Sequence, residues 1–259
     1  FDQGGTLFDP LPSYYSERNQ RLAVGELGFP QHAQSPQLAA LFRRARAEAD
    51  AAFLERPAYT HQQLVTEHLV RGLVMLGVCD VALLNGYQRA SELPLDLRAV
   101  AGRYFDRQRE VVVDHLRLKA GCHRMLSVLS RSARLAIVSN NADSYLHPLV
   151  ARYCIDAYME ATLSSDGLGA CKPYAEIFER AFERLGIEPK HRSRVLYVGD
   201  SVRFDVAGAQ SAGIDVVLVN DSCSDLAGAA NEPRDLRPNF QVTSLAELAD
   251  LFRLARASG

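Results

Sequence analysis

The sequence predicts an α/β protein in which a parallel sheet is covered by helices on both faces and a smaller all-helical domain is inserted. Residues 134–256 alternate short apolar runs with segments of helical period. Residues 12–115 are rich in Ala, Leu and Arg and carry helical patches without a convincing strand run. With 259 residues, 47% of them hydrophobic, the chain is long enough for one core domain plus a smaller one.

In chain order, FDQGGTLFD comes first and reads as the end of a strand followed by a tight turn, because Gly4 and Gly5 free the backbone there. A strand contributes about five or six residues, yet only Phe1 precedes Asp2. The native chain is therefore expected to extend upstream. Helical patches follow at 36–53, 60–76 and 95–116. RLAIVSNN (134–141) reads as a buried strand ending in polar residues, 143–153 as a helix, and 158–163 as a short strand. The next helix, 174–185, carries Ile177, Phe178, Ala181 and Phe182 on one side. RVLYVGD (194–200) is a fully apolar strand, 206–212 a helix stopped by Gly213, and DVVLVN (215–220), FQV (240–242) and a helix over 244–256 complete the pattern. The expected domains are a core of 1–11 with 116–259, and a helical domain of 12–115. No internal repeat or low-complexity tract is visible.

Composition narrows the function. The net charge of −2, from 29 Lys and Arg against 31 Asp and Glu, provides no basic field for nucleic acid or anionic lipid, so a small-molecule partner is expected. No apolar run reaches the roughly 18 residues that span a bilayer, and the first residues lack a charged-then-apolar signal pattern. A soluble, cytoplasmic protein is the expectation. Cys79, Cys122, Cys154, Cys171 and Cys223 are irregularly spaced and odd in number, against both a disulfide framework and a zinc site. His61 and His68 lack metal-ligand spacing, and Arg43, Arg44 and Arg46 read as a solvated helical face. Oligomeric state is not legible.

Ligands of an open parallel sheet collect at the carboxyl ends of its strands. Asp2, Ser139 and Asp200 each fall at or beside such an end. Lys172 is one of only three lysines, and Pro173 keeps it out of helical geometry while starting a helix at Tyr174, so its ammonium can reach the same rim. Capping remains an alternative for two of these positions: Ser139 precedes a helix, and Asp205 suits a helix N-cap.

Four motifs in order, FDQGGTL, LAIVSN, ACKPYAEIF and YVGDSVRFD, resemble the haloacid dehalogenase superfamily signature over essentially the whole chain. The resemblance implies a Rossmann-like three-layer core with the helical C1 cap of subfamily I. It implies Asp2 as nucleophile forming an aspartyl-phosphate, and Thr6, Gly5, Ser139 and Asn140 around the phosphate. It further implies Lys172 at the third motif and Mg²⁺ held by Asp2, Asp200 and the Gly4 carbonyl, with Asp205 ordering metal-bound water or the lysine. Oxygen donors of that kind suit a hard cation that keeps several waters. Tyr14, Tyr15 and Arg18, just inside the cap, are either substrate contacts or ordinary helix surface. Two residues depart from the pattern: Gly4 stands where the family has a second Asp, and Phe204 where members often have Asn.

That second Asp moves protons, and general acid/base catalysis is worth about 10²–10⁴-fold. Three functions remain open. One is a Mg²⁺-dependent phosphatase on a small phosphorylated metabolite with a good leaving group, such as an anomeric sugar phosphate, or one protonated by water or a cap residue. Another is a C–P or C–halogen bond hydrolase, since those relatives also replace this Asp; residues 10–118 contain no Lys for Schiff-base chemistry, and the retained carboxylates of GDSVRFD speak against a metal-free site. The third is a weak or inactive protein that binds a phosphorylated ligand or a partner. The phosphatase is the expectation, with turnover steeply dependent on leaving-group pKa.

Overall fold

In the computed structural model, which describes residues 1–86, 93–220 and 236–257, every strand lies within or against an expected apolar run, and all but the last are shorter than it. The strands are β1 (Ala136–Ser139), β2 (Ala161–Ser164), β3 (Leu196–Gly199), β4 (Asp215–Val219) and β5 (Phe240–Val242). β1 is trimmed at both ends because flanking polar residues leave the ladder: Asn141 N donates back to Ser139 O, and Arg134 bonds Glu160 and the Leu185 carbonyl.

β1 pairs with β2, and β3–β4–β5 form a second ladder, all parallel. Phe1 and Asp2 join the two: Phe1 N donates to Ala136 O at 2.9 Å, Val138 N to Phe1 O at 2.9 Å, and Asp2 N to Val198 O at 2.8 Å. The order across the sheet is β2–β1–(Phe1–Asp2)–β3–β4–β5. Val216, Val217, Leu218 and Val219 are all buried, as a strand covered on both faces requires. Val216 and Leu218 pack with Ile177, Phe178, Ala181 and Phe182 of a helix over Ala175–Leu185. Full burial of each large side chain there contributes roughly 1.5–3 kcal/mol.

A helix over Cys122–Leu129, which the sequence reading did not include, buries Met125, Leu126 and Leu129 and packs on the helix Leu245–Ala257. It is short and begins at Gly121 with no side-chain cap, so it lacks the usual start signal. The helix expected over 206–212 begins winding earlier, as a π-turn over Val202–Val206 that leads into Ala207–Ser211.

The chain divides into two compact units, Phe1–Pro10 with Leu116–Gly259, and Leu11–His115. Among its described residues the second unit is helical throughout, with α-helices Ser13–Glu26, Pro30–Ala33, Leu38–Phe53, His61–Met75, Leu83–Gly86 and Leu95–His115. The Leu38–Phe53 and His61–Met75 helices pack closely because Gly72 leaves room for the Phe42 ring. Asn19 ties Ser13–Glu26 to Leu95–His115, donating to Tyr104 O at 2.8 Å and accepting from Arg107 Nε at 2.7 Å. Among the described residues no helix is long and apolar enough to cross a membrane. Cys79, Cys122, Cys154 and Cys171 are in no disulfide, and Cys223 lies outside the described residues.

Candidate active site

The backbone bonds of Phe1 and Asp2 set the Asp2 carboxylate at the carboxyl ends of β1 and β3. The chain then reverses, with Leu7 N and Phe8 N both donating to Gln3 O at 3.0 and 3.1 Å. Gly5 makes this turn at φ +72°, where a Cβ would also overlap the Asp200 carboxylate. Thr6 Oγ1 donates to Asp200 Oδ1 at 2.8 Å, so the first motif positions the fourth.

Lys172 is the hub of the rim. Its Nζ lies 2.6 Å from Asp2 Oδ1, 2.6 Å from Asp205 Oδ1 and 3.1 Å from the Tyr197 hydroxyl, and the residue is 3% exposed. Tyr197 in turn donates to Val138 O at 2.6 Å, so its oxygen is free to accept from the ammonium. The second oxygen of Asp205 accepts from Asp200 N and Ser201 N, both at 3.0 Å. Gly199 leaves space for this carboxylate, which a Cβ there would strike.

The capping alternatives are resolved by these contacts. Ser201 Oγ, not Asp205, caps the turn by accepting from Phe204 N at 3.2 Å. Ser139 caps nothing: the helix after β1 (Asp143–Arg152) starts beyond Asn141, whose own Oδ1 accepts from Ala142 N. The Ser139 hydroxyl, on a residue 4% exposed, makes no hydrogen bond to a described residue. Asn140, expected beside the phosphate, directs both ends of its amide to Lys172. Its Nδ2 donates to Lys172 O at 2.9 Å and its Oδ1 accepts from Lys172 N at 2.8 Å. That clamp holds the Lys172 loop to the end of β1.

Sequence reasoning passed over Tyr197 and Gln3. Tyr197 is the one side chain of β3 with a polar tip, and a buried phenol needs a partner; that was the available signal. Gln3 is 2% exposed and accepts from Asn141 Nδ2 at 2.8 Å, a contact that spacing alone does not suggest.

Burial works against the Lys172 charge, but Asp2 and Asp205 outweigh it and hold the pKa well above the usual lysine value. Burial, with the nearby Asp2 and Asp205 charges, pushes Asp200 up to about 7 despite the Thr6 hydrogen bond and Lys172. Asp205 is likewise raised, by burial first and against the pull of Lys172. Carboxylate oxygens of Asp2, Asp200 and Asp205 lie within 4.8 Å of one another. Three carboxylates facing one ammonium leave surplus negative charge among hard oxygen donors, and that donor set fits a divalent cation such as Mg²⁺.

Gly4 is exposed, its φ is ordinary, and a Cβ there would meet no neighbouring atom within 4 Å. The position of the missing aspartate thus has room for a side chain. Tyr14, Tyr15 and Arg18 belong to the helical unit. Tyr15 is held between Tyr14 and His115, with ring centroids 4.1 and 4.4 Å away, while Tyr14 and Arg18 line an open groove of about 710 Å³ beside the helix Pro30–Ala33. His68 is taken by Asp50 at 2.9 Å.

The sequence profile of the haloacid dehalogenase-like hydrolases matches residues 84–219. The pyrimidine 5'-nucleotidase YjjG of Escherichia coli is 29% identical over 131 residues, 51% of this chain and 55% of the relative. The (S)-2-haloacid dehalogenase 2 of a Pseudomonas species is also 29% identical over 131 residues, 51% of this chain and 53% of the relative. The chain thus spans about half the length of these curated relatives. The crystal structure of the magnesium-bound HAD-hydrolase YfnB from Bacillus subtilis superimposes with a TM-score of 0.67 at 21% identity, covering 98% of this chain and 96% of that one. At that identity the likeness is one of fold: a Rossmann-like core with a helical cap.

Proposed function

Because the chain belongs to the haloacid dehalogenase-like hydrolase family, we propose that this hydrolase is a Mg²⁺-dependent phosphatase acting on a small phosphorylated metabolite through an aspartyl-phosphate at Asp2. The observation that carries the reading is the buried cluster of Asp2, Lys172, Asp205 and Asp200, with the Thr6 and Ser139 hydroxyls on the same rim. Asp2, Asp200 and the Gly4 carbonyl would hold Mg²⁺, which supplies charge neutralisation for the phosphoryl oxygens.

Each residue then has a task. Lys172 fixes Asp2 through Oδ1 and leaves the other carboxylate oxygen to attack phosphorus. Ser139 Oγ and the Thr6 backbone N–H are donors for the equatorial oxygens, where charge accumulates during transfer, and the Lys172 ammonium adds its positive charge beside them. Asp205, engaged by Lys172 and two backbone N–H groups, positions the lysine and the 199–201 turn. The bond from phosphorus to the substrate's leaving oxygen breaks as Asp2 is phosphorylated; water then attacks the aspartyl-phosphate, the bond from phosphorus to Asp2 breaks, and the carboxylate is restored. Four cysteines outside any disulfide, among the described residues, suit a reducing compartment such as the cytoplasm, which is where we place this activity.

Phosphate release from sugar, nucleotide, acyl and aryl phosphates tests the reading. The expected result is release that needs both Mg²⁺ and Asp2, lost in Asp2→Asn; release indifferent to Asp2→Asn in a folded protein would overturn it. A second reading, C–halogen hydrolysis, is favoured by one observation: haloacid dehalogenases stand among the relatives of a chain whose acid/base position is Gly4. Halide release from 2-haloacids without added metal is its signature. A folded protein that binds Mg²⁺ and releases neither phosphate nor halide would instead be a ligand-binding relative.

A further inference from the structure

The position left vacant at Gly4 bears on the kind of phosphoryl donor the site accepts. Four side chains of the cluster are committed elsewhere. Gln3 is turned to Asn141, and Thr6 donates to Asp200. Both oxygens of Asp205 are engaged, and Lys172 directs its ammonium to Asp2, Asp205 and the Tyr197 hydroxyl. Gly4 itself is exposed and has space around it, so the gap reflects the absence of a side chain there and not the crowding of a neighbour into it.

Resting on the phosphatase reading, we propose that the substrate is an acyl phosphate or another phosphoanhydride, whose leaving oxygen departs as a stable anion, and that alkyl phosphate monoesters are not turned over. In the first step an Asp2 carboxylate oxygen attacks phosphorus. The bond from phosphorus to the leaving oxygen breaks, and its electron pair departs on a carboxylate or phosphate that needs no proton. The product on Asp2 is itself an acyl phosphate, so an acyl phosphate donor exchanges one mixed anhydride for another at little cost in free energy. An alkyl ester would have to climb to that anhydride and expel an unprotonated alkoxide as well. In the second step water attacks phosphorus, the electron pair of the bond to Asp2 returns to its carboxylate, and the proton from water goes to the departing phosphate or to solvent. With no base at residue 4 to take that proton, this step is slow and the aspartyl-phosphate accumulates.

The test compares acetyl phosphate, an aryl phosphate series of graded phenol acidity, and glycerol phosphate, each with Mg²⁺, on the protein and on Gly4→Asp and Asp2→Asn. Phosphate release is read together with the intact mass of acid-quenched protein, which reports the phosphorylated chain. Acetyl phosphate and the most acidic aryl phosphates should turn over, with rates falling roughly tenfold per unit of leaving-group pKa, as a loose transition state without a proton donor requires. Phosphorylated protein should be visible in the steady state with acetyl phosphate and absent in Asp2→Asn. Gly4→Asp, which the open site accommodates, should flatten the dependence, raise glycerol phosphate turnover by about 10²–10⁴-fold and deplete the phosphorylated form. Glycerol phosphate turned over by the unaltered protein as fast as acetyl phosphate would overturn the proposal while leaving the phosphatase reading intact. Absence of Asp2-dependent release and of phosphorylated protein with every donor would sink both.

Discussion

Gly4 and Gly5 are adjacent, yet the structure uses them in opposite ways. Gly5 turns at positive φ against the Asp200 carboxylate, so a methyl group there meets both backbone strain and overlap. Gly4 has ordinary φ and open space. Gly5→Ala should therefore displace Asp200, weaken Mg²⁺ binding and lower the melting temperature. Gly4→Ala should leave stability within about 0.5 kcal/mol or raise it slightly through the unfolded state. Thermal melts and Mg²⁺ titration of the two variants check this, and equal effects would contradict the assigned turn. The same scale separates Asp205 from Asp200. Both are raised carboxylates, but both oxygens of Asp205 are engaged, which makes it a positioning residue, whereas Asp200 accepts from the Thr6 hydroxyl through Oδ1.

Between elements, the decisive contact is the amide of Asn140 at the end of β1 against the peptide of Lys172. Lys172 lies on a loop before the helix Ala175–Leu185, and its nitrogen reaches Asp2 only if that loop is fixed. Asn140→Ala leaves the Lys172 N–H and C=O without these partners, at a cost of about 1–3 kcal/mol per group that stays buried. Denaturant unfolding should register that loss, and phosphate release should drop with it, while Asn140→Asp, which keeps the acceptor for Lys172 N, should fall between. Unchanged stability in Asn140→Ala would mean that the loop is held by the Lys172 side chain alone. Residues 140 and 172 sit 32 apart, so the clamp had no local sequence pattern to announce it.

For the molecule as a whole, the carboxylate cluster makes stability depend on pH and cation together. Asp200 is raised to about 7 when folded, against an ordinary carboxylate value near 4, so the folded state binds the extra proton over that interval. The sign follows: metal-free stability is greatest at the acid end of the window and falls as pH rises toward 7, by at most about 1.4 kcal/mol per unit of elevation. Asp205 shifts in the same direction. Lys172, raised above its unfolded value, loses stabilisation only above the ordinary lysine range. Metal-free protein should accordingly melt at higher temperature at about pH 5 than at about pH 7.5, and Mg²⁺ should raise the melting temperature chiefly at the higher pH, by preferential binding to the native state. Asp200→Asn should remove most of the difference. A metal-free protein more stable at the higher pH, with Asp200→Asn indifferent, would show that the cluster is not under charge repulsion.

The sequence alone determined the layers and the chemistry at the rim. Apolar runs such as DVVLVN can be buried only in a sheet covered on both faces, helical period marks the inserted unit, and Asp2, Ser139, Lys172 and Asp200 each stand where a strand or helix must begin or end. Those signals are local, carried by neighbours within a few residues. Tertiary structure alone decided what the polar groups do with one another: that Asn140 holds the Lys172 peptide, that Tyr197 joins Val138 to the ammonium, that Gln3 turns to Asn141, and that Gly4 opens onto space. Hydrogen bonds between side chains distant in sequence depend on distances that only the packed sheet defines, and no periodicity encodes them.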